Sequence, residues 1–326
     1  MLRYKKFSAV ALLALFAILL TNIILSSSLE IISLMPFDQN ILEILLEIRL
    51  PRLVTAAMAG GSVAIAGALS QAVFRNALAT PSVLGTEAGA SLGLAISMAF
   101  GGGSALGQTS TDMVMVSTVV GAAIATLLSL NLAQGRQALV RVLLGGFALN
   151  ALLGAGAALV TGWLLESGRG SELYRLLLGS FSARTWGHAG TISMVGIGSF
   201  VLSLGLGKSL DILALGDESA ACLGISVRRI QMVTMAVIAL LVGTSVAVGG
   251  ALPFVSLIVP HFARINTGPY LKALLFNSFL VGAALTLAAD FAARTLRYPI
   301  EINVGLLTTI IGAPYFIVLL KRQTTA

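Results

Sequence analysis

Charged side chains are scarce in this chain of 326 residues: only 10% are Asp, Glu, Lys or Arg, while 57% are hydrophobic. Because a soluble domain carries about 25% charged residues, this composition excludes an ordinary soluble protein and indicates an integral membrane protein. The single cysteine, Cys222, excludes an intrachain disulfide and a cysteine-based metal cluster. The two histidines, His188 and His261, lie far apart at the edges of apolar runs, which favours packing roles over metal or proton chemistry.

Catalytic and nucleotide-binding motifs are also missing. The sequence contains neither H-E-x-x-H nor G-x-S-x-G. A phosphate-binding loop needs the pattern G-x-x-x-x-G-K-[ST], and the stretch ending in Gly207-Lys208-Ser209 has Leu202 where the first glycine must stand. The net charge of +7 comes without the basic patch interleaved with aromatics that is typical of nucleic-acid binding. We therefore predict no catalytic residue, no metal site and no nucleic-acid partner.

What the sequence does contain is a series of long, continuous apolar runs, such as AVALLALFAILLTNIIL. A β-barrel would instead show segments of about ten residues with alternating polarity, so the spans are predicted to be helices. At roughly 20 residues for each crossing, residues 1–326 form one all-α polytopic membrane domain with about ten transmembrane helices. The ten candidates are 8–28, 52–74, 84–101, 113–133, 142–163, 187–206, 228–248, 252–267, 272–292 and 303–320.

Two of these candidates are unusual. The first follows a basic leader, but its apolar run is longer than that of a signal peptide and no cleavage motif follows, so it is expected to be retained as a span. The eighth contains Pro253 and Pro260, which makes it the weakest candidate. It is expected to be bent or partly re-entrant.

The distribution of basic residues predicts the topology. With both termini in the cytoplasm, 13 of the 20 basic residues fall on the cytoplasmic side, including all five lysines. This agrees with the positive-inside rule. The seven basic residues on the outer side are Arg49, Arg52, Arg169, Arg175, Arg184, Arg294 and Arg297.

One short polar island, at about 208–227, interrupts the apolar runs between the sixth and seventh candidates on the cytoplasmic side. Within it, Asp217 and Glu218 follow Gly216, and an acidic pair that opens a short helix is favoured by the helix dipole. Gly224 fits a helix stop. These signals predict two short helices joined by a tight turn, with a small-residue face suited to docking in a groove, although the residues alone leave a solvated loop equally open. The small residues of that face are Ser219, Ala220 and Ala221.

The clearest charge within a predicted span is Asp290, with Arg294 one turn later. This spacing puts both side chains on one helix face, where they can pair, and a structural ion pair and a functional site both stay open. No series of carboxylates runs through the spans, as an ion-driven carrier would often show. An external source of energy is therefore favoured.

Four stretches in a fixed order carry a resemblance to a known family. They are RLPRLVTAAMAGGSVAIAGALSQAVFRNALATPSVLGTEAGASLG (49–93), LALGDESAACLG (213–224), GGALPFVSLIVPHFAR (249–264) and AADFAARTLRYPIEINVGLLTTIIGAPYF (288–316). Together they resemble the FecCD-type permeases, the membrane subunits of bacterial ATP-driven importers for vitamin B12, haem and ferric siderophores. The match covers nearly the whole chain.

The resemblance implies a ten-span subunit of the bacterial inner membrane that pairs with a second permease subunit, identical or related, around a central path. It implies ATP-binding cassette subunits beneath, which would bind ATP and Mg²⁺, so that this chain needs no cofactor of its own. A periplasmic or lipid-anchored binding protein would deliver the cargo from above.

The resemblance also implies roles for residues of this chain. The island would be the segment that couples the permease to the ATPase, through Leu215, Gly216, Asp217, Glu218, Ala221, Leu223 and Gly224. Three outer arginines match positions that dock the binding protein: Arg49, Arg52 and Arg294. For Arg49 and Arg52, anchoring to anionic lipid headgroups is the alternative.

Polar residues within the spans are candidates for lining the path, and these are Gln71, Asn76, Asn150 and Thr161. Each could instead form a hydrogen bond between helices. Ferric siderophore is the expected cargo because that branch of the family is the most populous, with vitamin B12 or haem as alternatives. An ion-coupled secondary carrier and a membrane-embedded enzyme are disfavoured, because the spans lack both carboxylate series and clusters of His, Asp or Glu.

Overall fold

A computed structural model describes residues 43–101, 111–132, 138–168, 170–268 and 270–323. Throughout these ranges the regular elements are helical, beginning with a π-helical turn at Ile44–Arg49. The α-helices that follow are α1 (Leu50–Val73), α2 (Thr86–Gly101), α3 (Thr111–Leu132), α4 (Ala138–Glu166), α5 (Ser171–Leu177), α6 (Trp186–Leu213), α7 (Asp217–Cys222), α8 (Val227–Gly249), α9 (Val255–Thr267), α10 (Leu271–Thr295) and α11 (Val304–Gln323).

The central helix of the bundle is α1, which packs against α6, α8, α9 and α10. Where α1 crosses α10, Gly60 and Gly282 face each other. A Cβ on Gly60 would lie 2.5 Å from the carbonyl oxygen of Gly282, and a Cβ on Gly282 would lie 2.6 Å from the carbonyl oxygen of Gly60. Glycine at both positions therefore lets the two backbones approach closely, as small residues do in membrane helix pairs. On the other side of the bundle, α8 also packs against α3, which pairs with α2.

Six segments in the described ranges are long and apolar enough to cross a bilayer. They are Ile44–Val73, Asp112–Asn131, Leu144–Glu166, Trp186–Leu213, Val227–Gly249 and Leu271–Thr295, and each coincides with a predicted span. The third candidate appears as α2, a helix of 16 residues, and the last contains a shorter apolar helix, Val304–Val318. The first candidate, 8–28, lies outside the described residues. A total of ten spans therefore stays a prediction.

The eighth candidate is shorter than expected. Its helix, α9, has 13 residues, which span about 20 Å at 1.5 Å per residue, whereas the hydrocarbon core is about 30 Å thick. Phe254 has a left-handed backbone conformation, with φ +65°, so the helix begins only at Val255. The expectation that this is the weakest span agrees with its length.

Large apolar side chains cover the outside of the bundle. Met194 on α6 is 81% exposed, Leu159 on α4 is 77% exposed and Phe147 on α4 is 72% exposed. Soluble proteins rarely expose contiguous apolar surface on this scale. The exposed helix faces are therefore lipid-facing or subunit-facing surfaces of a multi-pass membrane protein.

Candidate functional site at the two ends of the bundle

A fully buried carboxylate, Asp290, holds one end of the bundle together. It lies near the end of α10, and its side chain is 0% exposed. Arg52, at the start of α1, donates to Asp290 Oδ1 from Nη2 at 2.8 Å and from Nε at 3.1 Å. Arg294 approaches the other carboxylate oxygen, with 3.4 Å between Nε and Oδ2. Because a buried charge is tolerated only when it is paired, these two guanidinium groups are what allow a carboxylate at this position.

The same arginine extends the contacts to two connecting segments. Arg52 donates from Nη1 to Glu301 Oε1 at 2.8 Å, and the hydroxyl of Ser182 donates to Glu301 Oε2 at 2.6 Å. Glu301 precedes α11 and Ser182 precedes α6, so Arg52 joins the start of α1 to α10 and to the segment before α11, and Glu301 extends the contacts to the segment before α6. We call Arg52, Ser182, Asp290, Arg294 and Glu301 the Asp290 cluster.

The sequence predicted only part of this cluster. The pairing of Asp290 with Arg294 is confirmed at 3.4 Å, but Arg52, 238 residues away, is the nearer partner. Glu301 was missed. The sequence could have identified Glu301 because it lies between the last two predicted spans of a chain that has only 13 acidic residues.

Two of the three predicted docking arginines, Arg52 and Arg294, belong to the Asp290 cluster. Arg52 and Arg294 have side chains that are only 12% and 17% exposed, and Arg52 already uses Nε, Nη1 and Nη2 on carboxylates of its own chain. Arg49 ends the π-helical turn directly before α1. An acidic partner would therefore have to share the Arg52 guanidinium with Asp290 and Glu301, and docking at these three positions stays a prediction.

Glu301 gives the cluster a pH dependence. Burial raises the pKa of its carboxyl group, but the hydrogen bond and charge of Arg52, together with Ser182, outweigh burial and hold the pKa below the ordinary value of 4.5. A carboxylate with a lowered pKa in the folded state stabilises the protein above the unfolded-state pKa, and this contribution disappears as the pH falls through the folded-state pKa. We expect Glu301→Gln to lower the apparent Tm at about pH 7, and this difference to shrink at a pH well below the ordinary value of 4.5, where Glu301 becomes protonated in the folded state as well. Thermal unfolding of both purified proteins at the two pH values checks this, and an unchanged difference in Tm would contradict it.

At the opposite end of α1, the polar island forms one short helix, α7, between two turns that depend on glycine. Gly216 has φ +114° and Gly224 has φ +81°, a region that other residues adopt only with strain. The N–H of Gly224 donates to the carbonyl of Ala221 at 2.9 Å, and the N–H of Ile225 donates to that of Ala220 at 3.0 Å. This pair of bonds is a Schellman motif, so the predicted stop at Gly224 is confirmed.

The prediction of two short helices in the island is wrong. Between the end of α6 at Leu213 and the start of α8 at Val227, only the six residues of α7 are helical. The predicted small-residue face is also wrong in one member. Ala220 is fully buried and belongs to the hydrophobic core together with Leu210 and Leu213, while Ser219 and Ala221 are exposed.

The outward surface of α7 combines acidic and apolar side chains. Asp217 and Glu218 are exposed in its first turn, and Leu215 and Leu223 on either side are 67% and 62% exposed. Arg75, just beyond the end of α1, pairs with Asp217, with 3.0 Å between Nη2 and Oδ1. The helix is therefore tied to the central helix, while the two leucines that flank it are exposed.

The four candidates for path lining fall into two pairs, one at the end of α1 and the other on α4. Gln71 and Asn76 line a pocket of about 330 Å³ next to Arg75. Gln71 is buried, and its Oε1 has no hydrogen-bond partner among the described residues. Thr161 donates to the carbonyl of Ala157 in its own helix at 2.7 Å, and Asn150 is half-buried on the same helix, α4. Gln71 and Asn76 therefore face a common space, and path lining by the four residues stays a prediction.

The two histidines form contacts within the helix bundle. His188 forms a capping box at the start of α6, with 2.9 Å between its Nδ1 and the hydroxyl of Thr185. The ring of His261 contacts Tyr315, with the ring centroids 6.5 Å apart. Among the residues that the structure describes, no group of three or more His, Cys, Asp or Glu side chains could hold a metal ion.

An apolar helix bundle with six membrane-length segments among the described residues and large exposed apolar faces is the fold of a polytopic membrane protein. Comparison with known proteins supplies the family. Residues 9–322 match the sequence model of the FecCD transport family, and the chain belongs to that family, whose members include ABC transporter permeases.

Curated relatives and a solved structure agree with this assignment. The chain is 38% identical to the hemin transport system permease protein HmuU of Yersinia pestis over 281 residues, which cover 85% of this chain and 83% of the relative. It is also 38% identical to the vitamin B12 import system permease protein BtuC of Vibrio parahaemolyticus, over 90% of this chain and 86% of the relative. The Fe(3+) dicitrate transport system permease protein FecD of Escherichia coli is 36% identical, over 86% of each chain. A structure described as an inward-facing metal-chelate type ABC transporter superposes with a TM-score of 0.80 and 26% identity, over 98% of this chain and 99% of that chain.

Proposed function

We propose that this chain is the permease subunit of a binding-protein-dependent, ATP-driven importer that moves a ferric siderophore across the bacterial inner membrane. Family membership supports the transport role. Several relatives of this chain are named as hemin or ferric citrate permeases. Others are named as vitamin B12 permeases. The relatives include haem, ferric citrate and vitamin B12 permeases, so vitamin B12 and haem are the alternatives to a ferric siderophore.

The observation that carries the proposal is the surface of α7. A six-residue helix fixed by Gly216 and Gly224 exposes Leu215 and Leu223 at the end of the bundle. Exposed leucines next to two carboxylates are suited to a complementary cleft on another protein, where burial of apolar area provides the binding energy. We propose that an ATP-binding cassette subunit supplies this cleft, binds ATP and Mg²⁺, and moves α7 when it closes.

The Asp290 cluster would then lie at the outer end, where cargo arrives. We propose that an acidic surface of a periplasmic or lipid-anchored binding protein docks near Arg49, Arg52 and Arg294. Rim charges of this kind mainly contribute steering and orientation. Because Arg52 also holds α1, α10 and the segment before α11 together, a carboxylate that competes for it would loosen those contacts upon docking.

Further parts of the proposal concern the assembly. Both termini are placed in the cytoplasm with ten spans, as the charge distribution predicts. Two contacts between helix ends fit this topology. Arg52 at the start of α1 pairs with Asp290 near the end of α10, so these two ends lie on the same side. Asp211 near the end of α6 accepts a hydrogen bond from the N–H of Leu271 at the start of α10, so these two ends also lie on one side. A second permease subunit, identical or related, would complete the translocation path.

Uptake measurements test the proposed cargo. In cells that lack the gene, we expect loss of radiolabelled ferric siderophore uptake, unchanged cobalamin uptake, and recovery when the gene is restored. Loss of cobalamin uptake alone would overturn the siderophore assignment and leave the importer class intact. Ferric siderophore uptake that survives ATP depletion but collapses with the ion gradient would instead support a secondary carrier.

A further inference from the structure

An open groove lies between α6 and α10, at the end of the bundle that carries α7. One wall is formed by Phe200, Leu204 and Lys208 of α6, which follow one another at four-residue intervals and therefore share a helix face. The facing wall is formed by Lys272 and Phe276 of α10, which have the same spacing. The volume of the groove is about 870 Å³, within the usual range of sites for small ligands.

The groove is apolar at one end and cationic at the other. At the apolar end the rings of Phe200 and Phe279 meet, with their centroids 6.1 Å apart. Phe200 and Lys208 are separated by eight positions in the sequence, which correspond to about 12 Å along the helix axis. An elongated apolar chain with a charged head fits this arrangement better than a compact polar ligand does.

The two lysines converge at the cationic end. Lys272 reaches across to α6, where a Cβ on Gly207 would lie only 2.8 Å from the Cγ of Lys272. The stem of Lys272 therefore packs against α6 next to Lys208, and both lysines line the groove. Both side chains are exposed, and neither forms an ion pair within the part of the chain that the structure describes.

Two further residues define the rim. Asp211 lines the groove, and its Oδ1 accepts the backbone N–H of Leu271 at 3.1 Å. Two lysines and one aspartate leave a net charge of +1 at the opening. Tyr270, also at the opening, is 70% exposed, and tyrosine is enriched at the interface between membrane and water.

We propose that this groove binds an anionic phospholipid, with one acyl chain along Phe200, Leu204 and Phe276 and the phosphate between Lys208 and Lys272. Basic pockets between transmembrane helices recognise acidic lipid headgroups, and long lysine side chains place their charge at headgroup level while their stems cover apolar surface. A soluble phosphate would use the lysines but not the apolar walls. The lipid is therefore the ligand that accounts for the whole groove.

A fluorescence experiment on the full-length chain tests this site. Phe276→Trp places a reporter in the groove, and Trp163→Phe with Trp186→Phe removes the two natural tryptophans. The protein is reconstituted with brominated phosphatidylglycerol or brominated phosphatidylcholine, and the relative binding constant is obtained from quenching of the reporter. We expect phosphatidylglycerol to be preferred, and Lys208→Ala and Lys272→Ala each to reduce this preference about fivefold.

Matched variants separate a defined site from general surface charge. Arg229→Ala removes a cation from the same end of the bundle, at an exposed position outside the groove, and should leave the preference unchanged, while Lys272→Arg should retain it. Equal binding of the two lipids, or an equal fall with Arg229→Ala, would overturn the proposal. Competition by inorganic phosphate would point to a soluble anion instead, and quenching by neither lipid would show that protein covers the groove.

Discussion

Replacing Asp290 by alanine should lower the stability of the purified protein by about 3–5 kcal/mol, because breaking a buried ion pair leaves uncompensated charge in a poorly solvated place. Asp290 is 0% exposed and receives Arg52 at 2.8 Å and Arg294 at 3.4 Å. Without the carboxylate, two nearly buried guanidinium groups lose the negative charge that lies between them. The apparent Tm in detergent, followed by circular dichroism, measures the effect.

Asp112→Ala is the matched control for this prediction. Asp112 also lies at the end of a membrane-length helix, but it is exposed in the first turn of α3. Surface carboxylates contribute about 0–1 kcal/mol, so this variant should melt close to the unsubstituted protein. Similar melting temperatures for the two variants would show that Asp290 is not the centre of a stabilising cluster.

The second large effect is expected at α7. Leu223→Asp puts a charge on a side chain that is 62% exposed, so the permease itself should fold, but the charge would enter the proposed ATPase cleft. Burial of one leucine contributes about 1.5–3 kcal/mol, and we therefore expect ferric siderophore uptake and copurification of the ATPase subunit to fall tenfold or more. Glu218→Ala should act in the same direction with a smaller effect, because the residue is exposed and its removal leaves the helix intact.

The control for α7 is Ser226→Asp. Ser226 is exposed in the same connection but stands at the N-cap of α8, where aspartate is a favoured residue. It adds the same charge three residues away, so uptake should be retained. If Leu223→Asp transports normally at an unchanged membrane level, or if both variants fail alike, α7 is not the contact through which ATP hydrolysis reaches the permease.

Features that depend only on neighbouring residues were predicted correctly, whereas features that depend on distant helices were not. Gly224 was predicted as a helix stop and forms the Schellman motif, because such a stop depends only on the backbone of a few neighbouring residues. The face that Ala220 presents was mispredicted, because burial of Ala220 depends on core residues contributed by other helices. The single helix of the island was missed for a related reason: the lengths of α6 and α8 decided how many residues were left between them.

The sequence by itself determined that this is a helical membrane protein, where most of its helices begin and end, and which family it resembles. Those properties follow from apolar run length, local backbone preferences and local motifs, all of which depend on residues that are close together in the sequence. Only the tertiary structure decided that Arg52 serves Asp290 and Glu301, which are 238 and 249 residues away, and that Lys208 and Lys272 open onto one groove. Charges pair across a few ångströms of space regardless of their distance along the chain, and helix packing alone fixes which of them come within that reach.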